Sequence, residues 1–257
     1  IYAWTQTAGT MVTLDESVPA MPTFTAPNVG ANEMLTFDLV VTDDDGAAST
    51  ADSVAITIDP TLPLPFTDDF SDGNADGWVE FDDGITNASD WQVSGGAYVQ
   101  NTSTNDFGGD VIESFRRGTY SYLANSVDLT NYRFSADVSA QGGSSDDIGV
   151  MFRYVDDLNY YRLSLNSEAG GTRLESKVNG TYMTLAHNFR GYRPSSLQQI
   201  TIEVVDSVIH VYVNGNPLFA AEDSDHPIGG VALYGRDGVR FDNVSITAND
   251  INPAIVI

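Results

Sequence analysis

Apolar and polar residues alternate along most of the 257-residue chain. A period of two places one set of side chains on each face of a β-strand. In the first 59 residues the runs are "YAWTQT", "MVTLD", "PTFTAP", "MLTFDLVVTD" and "DSVAITID", each bounded by turn residues. The last two flank "DDDGAAST", where Asp-Gly predicts a hairpin. "PTLPLP", residues 60–65, carries three prolines and cannot continue a ladder, so it reads as a linker. About eleven more runs fill residues 66–247, among them "WQVSGGAYVQ", "YRFSADVSA", "IGVMFRYV", "NYYRLSLN", "TRLESKVNG" and "VIHVYVNG". That density of short alternating segments predicts two packed sheets in a jelly roll. Asn-Gly in "VNGNPLF" is the strongest short hairpin signal in the chain.

Composition supports an all-β fold. Gly, Thr, Ser, Asn and Asp are abundant, and blocks of helix formers are missing. The formal charge is −25 and unevenly spread: no Lys or Arg precedes Arg116, while 20 of the 36 acids lie in residues 1–115. Such a field disfavours nucleic acid and anionic membrane surfaces. With no cysteine there is no disulfide framework, and no apolar stretch approaches the length of a membrane span, so membrane insertion is not expected.

The residues of the first segment carry a resemblance. Tyr2-Ala3-Trp4-Thr5-Gln6, "PTFTAP" and "LTFDLVVTDDDGAASTADSVAITI" resemble the second half of a polycystic-kidney-disease (PKD) type domain, which implies a partial immunoglobulin-like sandwich over 1–59. In that family the opening strand has the form N-x-x-P-x-V. "NDINPAIVI" at the end of the chain resembles it, so residues 248–257 are expected to begin a following immunoglobulin-like domain. The resemblance implies neighbouring repeats of the same protein as partners. A disordered terminus is the plainer alternative.

Residues 66–247 resemble the concanavalin-A-like, laminin-G-like jelly rolls of bacterial extracellular proteins, through "FTDDFSDGNADGW", "IGVMFRYVDDLNYYRLSLN", "VIHVYVNGNPLFAAEDSDHPIGGVALYG" and "FDNVSI". In related jelly rolls the first and last strands pair and their acids share a structural calcium. That resemblance implies Asp68, Asp69, Asp72 and Asp242 as ligands, with backbone carbonyls completing the shell. A solvated acidic turn accounts for the same residues. The loop is not an EF-hand, because its twelfth position is Val79.

Six of the eleven cations fall between residues 153 and 193. Alternation sets Tyr161, Leu163 and Leu165 inward and Tyr160, Arg162 and Ser164 outward, and puts Arg173, Glu175 and Lys177 on one face. In "GVMFRYV" it pairs Arg153 with Met151, away from Val150, Phe152 and Tyr154. Arg153, Tyr160 and Arg162, with His187, Arg190 and Tyr192 from "HNFRGYRP", are the candidate ligand-binding residues. A flat aromatic for a sugar's C–H face and arginines for its hydroxyls or acid groups suit a polysaccharide or cell-surface glycan, and arginines set in an otherwise acidic protein suit an anionic one. Cross-strand ion pairing on a solvated sheet is the alternative.

Catalytic motifs are sparse. There is no G-x-S-x-G or H-E-x-x-H, and Glu175 and Glu203 lie on different strands without the closely spaced acids of a glycanase. The expected function is a non-catalytic extracellular or cell-surface module for adhesion or polysaccharide binding, stabilised by calcium. The runner-up is a fibre subunit completed by strand exchange.

Overall fold

The computed structural model describes residues 1–27, 29, 31–58, 60–84, 87–103, 116–142, 146–167 and 170–249. The chain is all-β and divides into two compact units, Ile1–Thr61 and Leu62–Ile257. The strand expected at the end of the chain lies almost wholly outside the described residues.

In the first unit β1 (Tyr2–Ala8), β2 (Glu33–Val41) and β3 (Asp52–Ile58) form an antiparallel sheet in the order β1-β2-β3. Its core gathers Leu35 and Phe37 of β2 with Val29 and Ile58, and Trp4, Val12, Leu14 and Phe24 pack against them. The expected hairpin joins β2 to β3, and the Asp43 carboxylate holds its turn by accepting the N–H groups of Asp45 and Ala47. "MVTLD" and "PTFTAP" do not become ladder strands. They make one isolated bridge, Asp15 to Thr23, since prolines at 19, 22 and 27 interrupt the donors a ladder needs.

In the second unit the strands are β4 (Phe66–Asp68), β5 (Trp78–Asp83), β6 (Trp91–Val93), β7 (Tyr98–Gln100), β8 (Gly118–Leu123), β9 (Tyr132–Ala140), β10 (Ile148–Asp156), β11 (Asn159–Leu165), β12 (Thr172–Val178), β13 (Thr181–Asn188), β14 (Gln198–Val205), β15 (Val208–Val213), β16 (Asn216–Glu222), β17 (Gly230–Gly235) and β18 (Val239–Ala248). One antiparallel sheet runs β13-β12-β11-β10-β17-β8-β5. The other runs β16-β15-β14-β9-β18-β7-β6, with β4 paired to β18. The two sheets form the jelly-roll sandwich. Phe134, Ala136 and Val138 of β9 and Ile200, Ile202 and Val204 of β14 share a buried core with Val150, Phe152, Leu163 and Leu165 of the opposite sheet. The Asn-Gly hairpin forms between β15 and β16, with Asn214 at φ 53° and Gly215 at φ 73°, the left-handed pair that a two-residue turn requires.

The outward faces of the two sheets differ. On the eight-stranded sheet Arg133, Asp137, Glu203 and His210 are open or half-open to solvent, the usual state of an antiparallel sheet with one wet face. In the seven-stranded sheet β10, β11 and β12 are buried on both faces, although the outward side carries charges. Buried charge is costly unless paired, so this face marks the candidate site.

Candidate functional site

Register sets the outward face of the seven-stranded sheet in rows. Glu175, Arg162, Met151, Ala232, Tyr122 and Val79 are successive partners from β12 to β5. The next row is His187, Arg173, Ser164, Gly149, Tyr234, Tyr120 and Phe81. Tyr182 of β13 pairs with Lys177, which pairs with Tyr160. Charges cluster toward β12 and tyrosines toward β8, with Tyr160 and Tyr182 among the charges.

Glu175 is the centre of the charged half. Its two oxygens accept from Arg162 Nη2 at 2.8 Å and Arg116 Nε at 3.0 Å, and Arg173 Nε lies 3.7 Å away. Burial alone pushes this carboxyl up; the charge and hydrogen bond of Arg162, with Arg173 and Arg116, outweigh it and hold the group below its ordinary value. Asp147 accepts from Arg173 at 2.5 Å, and from Ser164 Oγ and Asn166 Nδ2 at 2.7 Å each. Lys177 Nζ donates to the Asp157 carbonyl at 2.7 Å and to Asp83 at 3.3 Å.

Aromatic rings enclose these cations. The Arg162 guanidinium carbon lies 4.5 Å from the Tyr234 ring centre and 4.9 Å from that of Tyr182, and Lys177 Nζ lies 5.0 Å from Tyr182 and 5.1 Å from Tyr160. Tyr160 and Tyr182 share a 2.7 Å hydroxyl contact. Burial raises the phenols of Tyr120, Tyr160 and Tyr234 and pushes that of Tyr154 up to about 12, so all four are neutral hydroxyls at neutral pH. The face opens at β13, where Thr184 and His187 are exposed and Tyr182 is half-buried.

Of the residues expected to bind ligand, this face brings together Tyr160 and Arg162, with His187 at its margin. Arg153 is turned away. A bulge after Phe152 gives it φ 44°, so Tyr154, not Arg153, joins Met151 on the outward side. The buried Arg153 guanidinium donates instead to the carbonyls of His226 and Thr130 at 2.9 Å each. Tyr192 also lies apart: its ring packs in the main core and its hydroxyl donates to the Asp146 carbonyl at 2.7 Å. Arg190 is exposed on the loop after β13. Sequence reasoning missed Tyr120, Tyr122, Tyr154, Tyr182, Tyr234 and Arg116.

At the loop expected to hold calcium, β4 pairs with β18 so that Asp68 faces Val244. Thr67, Asp68, Asp69, Ser71, Asp72, Asn243 and Ser245 line an oxygen-rich cleft. Their carboxylates are engaged locally. Asp68 accepts from the Phe70 N–H and from Trp78 Nε1; Asp69 and Asp72 accept the N–H groups of Ser71 and Asn74. Asp242 accepts from the Asn243 N–H and from Arg240. Among the described residues no three acidic or histidine side chains converge as metal ligands, so calcium rests on the resemblance alone.

Comparison with known proteins places this sandwich. Residues 65–247 match the 3-keto-alpha-glucoside-1,2-lyase-like domain. The chain belongs to that family. The lyase-like match defines the jelly roll more narrowly than the laminin-G-like resemblance, and carries no laminin-G assignment of its own. Ahead of the lyase-like domain, residues 1–58 match the K319L-like PKD domain. No curated protein matches the chain. Among solved structures, a carbohydrate-binding module, CBM66 from Bacillus subtilis, is similar with TM-score 0.54 at 15% identity, covering 67% of this chain and 96% of that one. A Bacillus licheniformis beta-glucanase is similar at 0.51 and 10% identity, covering 71% and 97%. A mutant of the GH43 protein BlXynB from Bacillus licheniformis is similar at 0.50 and 12%, with 84% of this chain spanning about half, 51%, of that protein. At these identities the likeness shows the lyase-like domain's fold alone.

Proposed function

We propose that the jelly roll is a non-catalytic carbohydrate-binding domain of an extracellular protein, with saccharide lying along β13. The observation that carries this reading is the aromatic and guanidinium face that opens at Tyr182, Thr184 and His187. Tyr182 offers a ring, and Thr184 and His187 offer groups for hydroxyls. Behind them the paired charges of Arg162, Glu175 and Arg173 keep the first line of residues fixed. Membership of a family named for glucosides and similarity to a carbohydrate-binding module agree with a sugar ligand.

The family name favours a second reading, elimination from a 3-keto-glucoside. That reaction needs a base for the proton beside the ketone. Glu175 is held ionised by guanidinium groups and is a weak base there, Asp147 accepts from three donors, and Lys177 is engaged by Asp83 and the Asp157 carbonyl. One experiment separates the readings. The chain is titrated by calorimetry with a panel of oligosaccharides and separately incubated with 4-nitrophenyl 3-keto-α-glucoside. The expected result is saccharide binding that weakens at least about tenfold, or 1.4 kcal/mol, in Tyr182→Ala, with no 4-nitrophenol release above buffer. Turnover of the 3-keto-glucoside would favour the lyase, and no binding to any saccharide would remove the leading reading.

A further inference from the structure

The loop that follows β13 carries a feature the face does not explain. Phe189 is 80% exposed. A side chain of this size left in water forgoes about 2–3 kcal/mol of burial, so the fold gains little from it. Its ring centre lies 4.4 Å from that of His187, at 53°. Between His187 and Arg193 there is no acid, in a chain of net charge −25.

The cations of this loop are unusual in the molecule. Arg116, Arg133, Arg162, Arg173, Lys177, Arg236 and Arg240 all pair with carboxylates. Arg117 donates to the Gly84 carbonyl, and Arg153 is buried against carbonyls. Arg190 and Arg193 are exposed, and among the described residues their guanidinium groups meet no acceptor. An acidic polymer is repelled by most of this surface, and these two uncompensated charges mark where it approaches.

The loop is also held in place. The Arg190 N–H donates to Asn188 Oδ1, its carbonyl accepts from Thr172 Oγ1, and the Tyr192 ring is locked in the core. Gly171, at φ 62°, and Gly191 sit so close to the facing backbone that an added Cβ would stand 2.2 Å from the Asn188 oxygen and 1.9 Å from the Asn166 oxygen. A ring and two charges on an anchored loop bind without first having to be ordered.

We propose that this loop makes the ligand an acidic polysaccharide, with Phe189 stacking on a sugar ring and Arg190 and Arg193 meeting its carboxylate or sulfate groups. The proposal rests on the carbohydrate-binding reading and adds the ligand's charge and the residues that select it. His187 joins the two surfaces, because it pairs in register with Arg173 of the face.

The test is biolayer interferometry of the full chain on immobilised polygalacturonate, a sulfated carrageenan and neutral dextran. Acidic polymers are expected to bind at least tenfold more tightly than dextran, with affinity falling as salt rises. R190Q/R193Q and F189A should each lose at least tenfold on the acidic polymers while melting as the parent does, since all three side chains are exposed. The first two polymers distinguish carboxylate from sulfate. R133Q/R240Q removes equal charge elsewhere and should leave binding unchanged; an equal loss in that variant would overturn the loop's role. Binding to dextran alone, or acidic binding indifferent to both loop variants, would overturn the inference while leaving the carbohydrate-binding reading standing. Binding to no saccharide, here or in the calorimetric panel, would remove that reading and this inference with it.

Discussion

Glu175→Gln is expected to lower the melting temperature of the second unit by roughly 10 °C. Glutamine keeps the size of the side chain and removes the charge that three guanidinium groups surround. Arg162 then stays buried with no carboxylate partner, and breaking a buried pair by deleting one member costs about 3–5 kcal/mol. For a unit of this size each 1 kcal/mol shifts the midpoint by about 2–4 °C. The same carboxyl sets an acid limit. Its folded pKa lies below its unfolded value, so its contribution is fully present above the unfolded value, near 4.5, and is lost as pH falls through the folded one. The gap in melting temperature between parent and variant should therefore narrow as pH falls below 4.5. A variant that melts like the parent at pH 7 would show that Glu175 is not held as described.

Gly149→Ala is expected to cost about 3 kcal/mol or more, the upper end for overpacking. Gly149 lies in the middle of the seven-stranded sheet, between Ser164 and Tyr234, and a Cβ there would stand 1.9 Å from the Leu163 carbonyl oxygen. The obstacle is backbone, so no rotamer change relieves it and β10 must part from β11. Chemical denaturation reads the effect as a lower midpoint. An unchanged midpoint would contradict the register that aligns Arg162 with Met151 and sets the rows of the face.

How much of this was legible in the sequence depended on distance along the chain. Local alternation separated Tyr160, Arg162 and Ser164 from Tyr161, Leu163 and Leu165, and grouped Arg173, Glu175 and Lys177, because these strands are regular and adjacent. Asn214-Gly215 announced its hairpin for the same local reason. Arg153 was misplaced because a bulge adds one residue to the strand without altering its composition, and everything after it changes face. The tyrosines were missed because β10 lies beside β17, and β17 beside β8, an order set by packing of the whole sandwich and written in no single run. Tyr192 looked like a loop aromatic next to Arg190 and Arg193, yet the chain turns its ring into the core and leaves Phe189 outside.

The most direct test of the central claim, that saccharide lies along β13, is a heteronuclear NMR titration of the isotope-labelled chain with neutral and uronic-acid oligosaccharides. The expected result is that the largest shifts fall on Tyr182, Thr184, His187 and Phe189, and that the uronic-acid series produces them at lower concentration. Shifts confined to the wet face of the eight-stranded sheet, around Arg133, Glu203 and His210, or no shifts with either series, would contradict it.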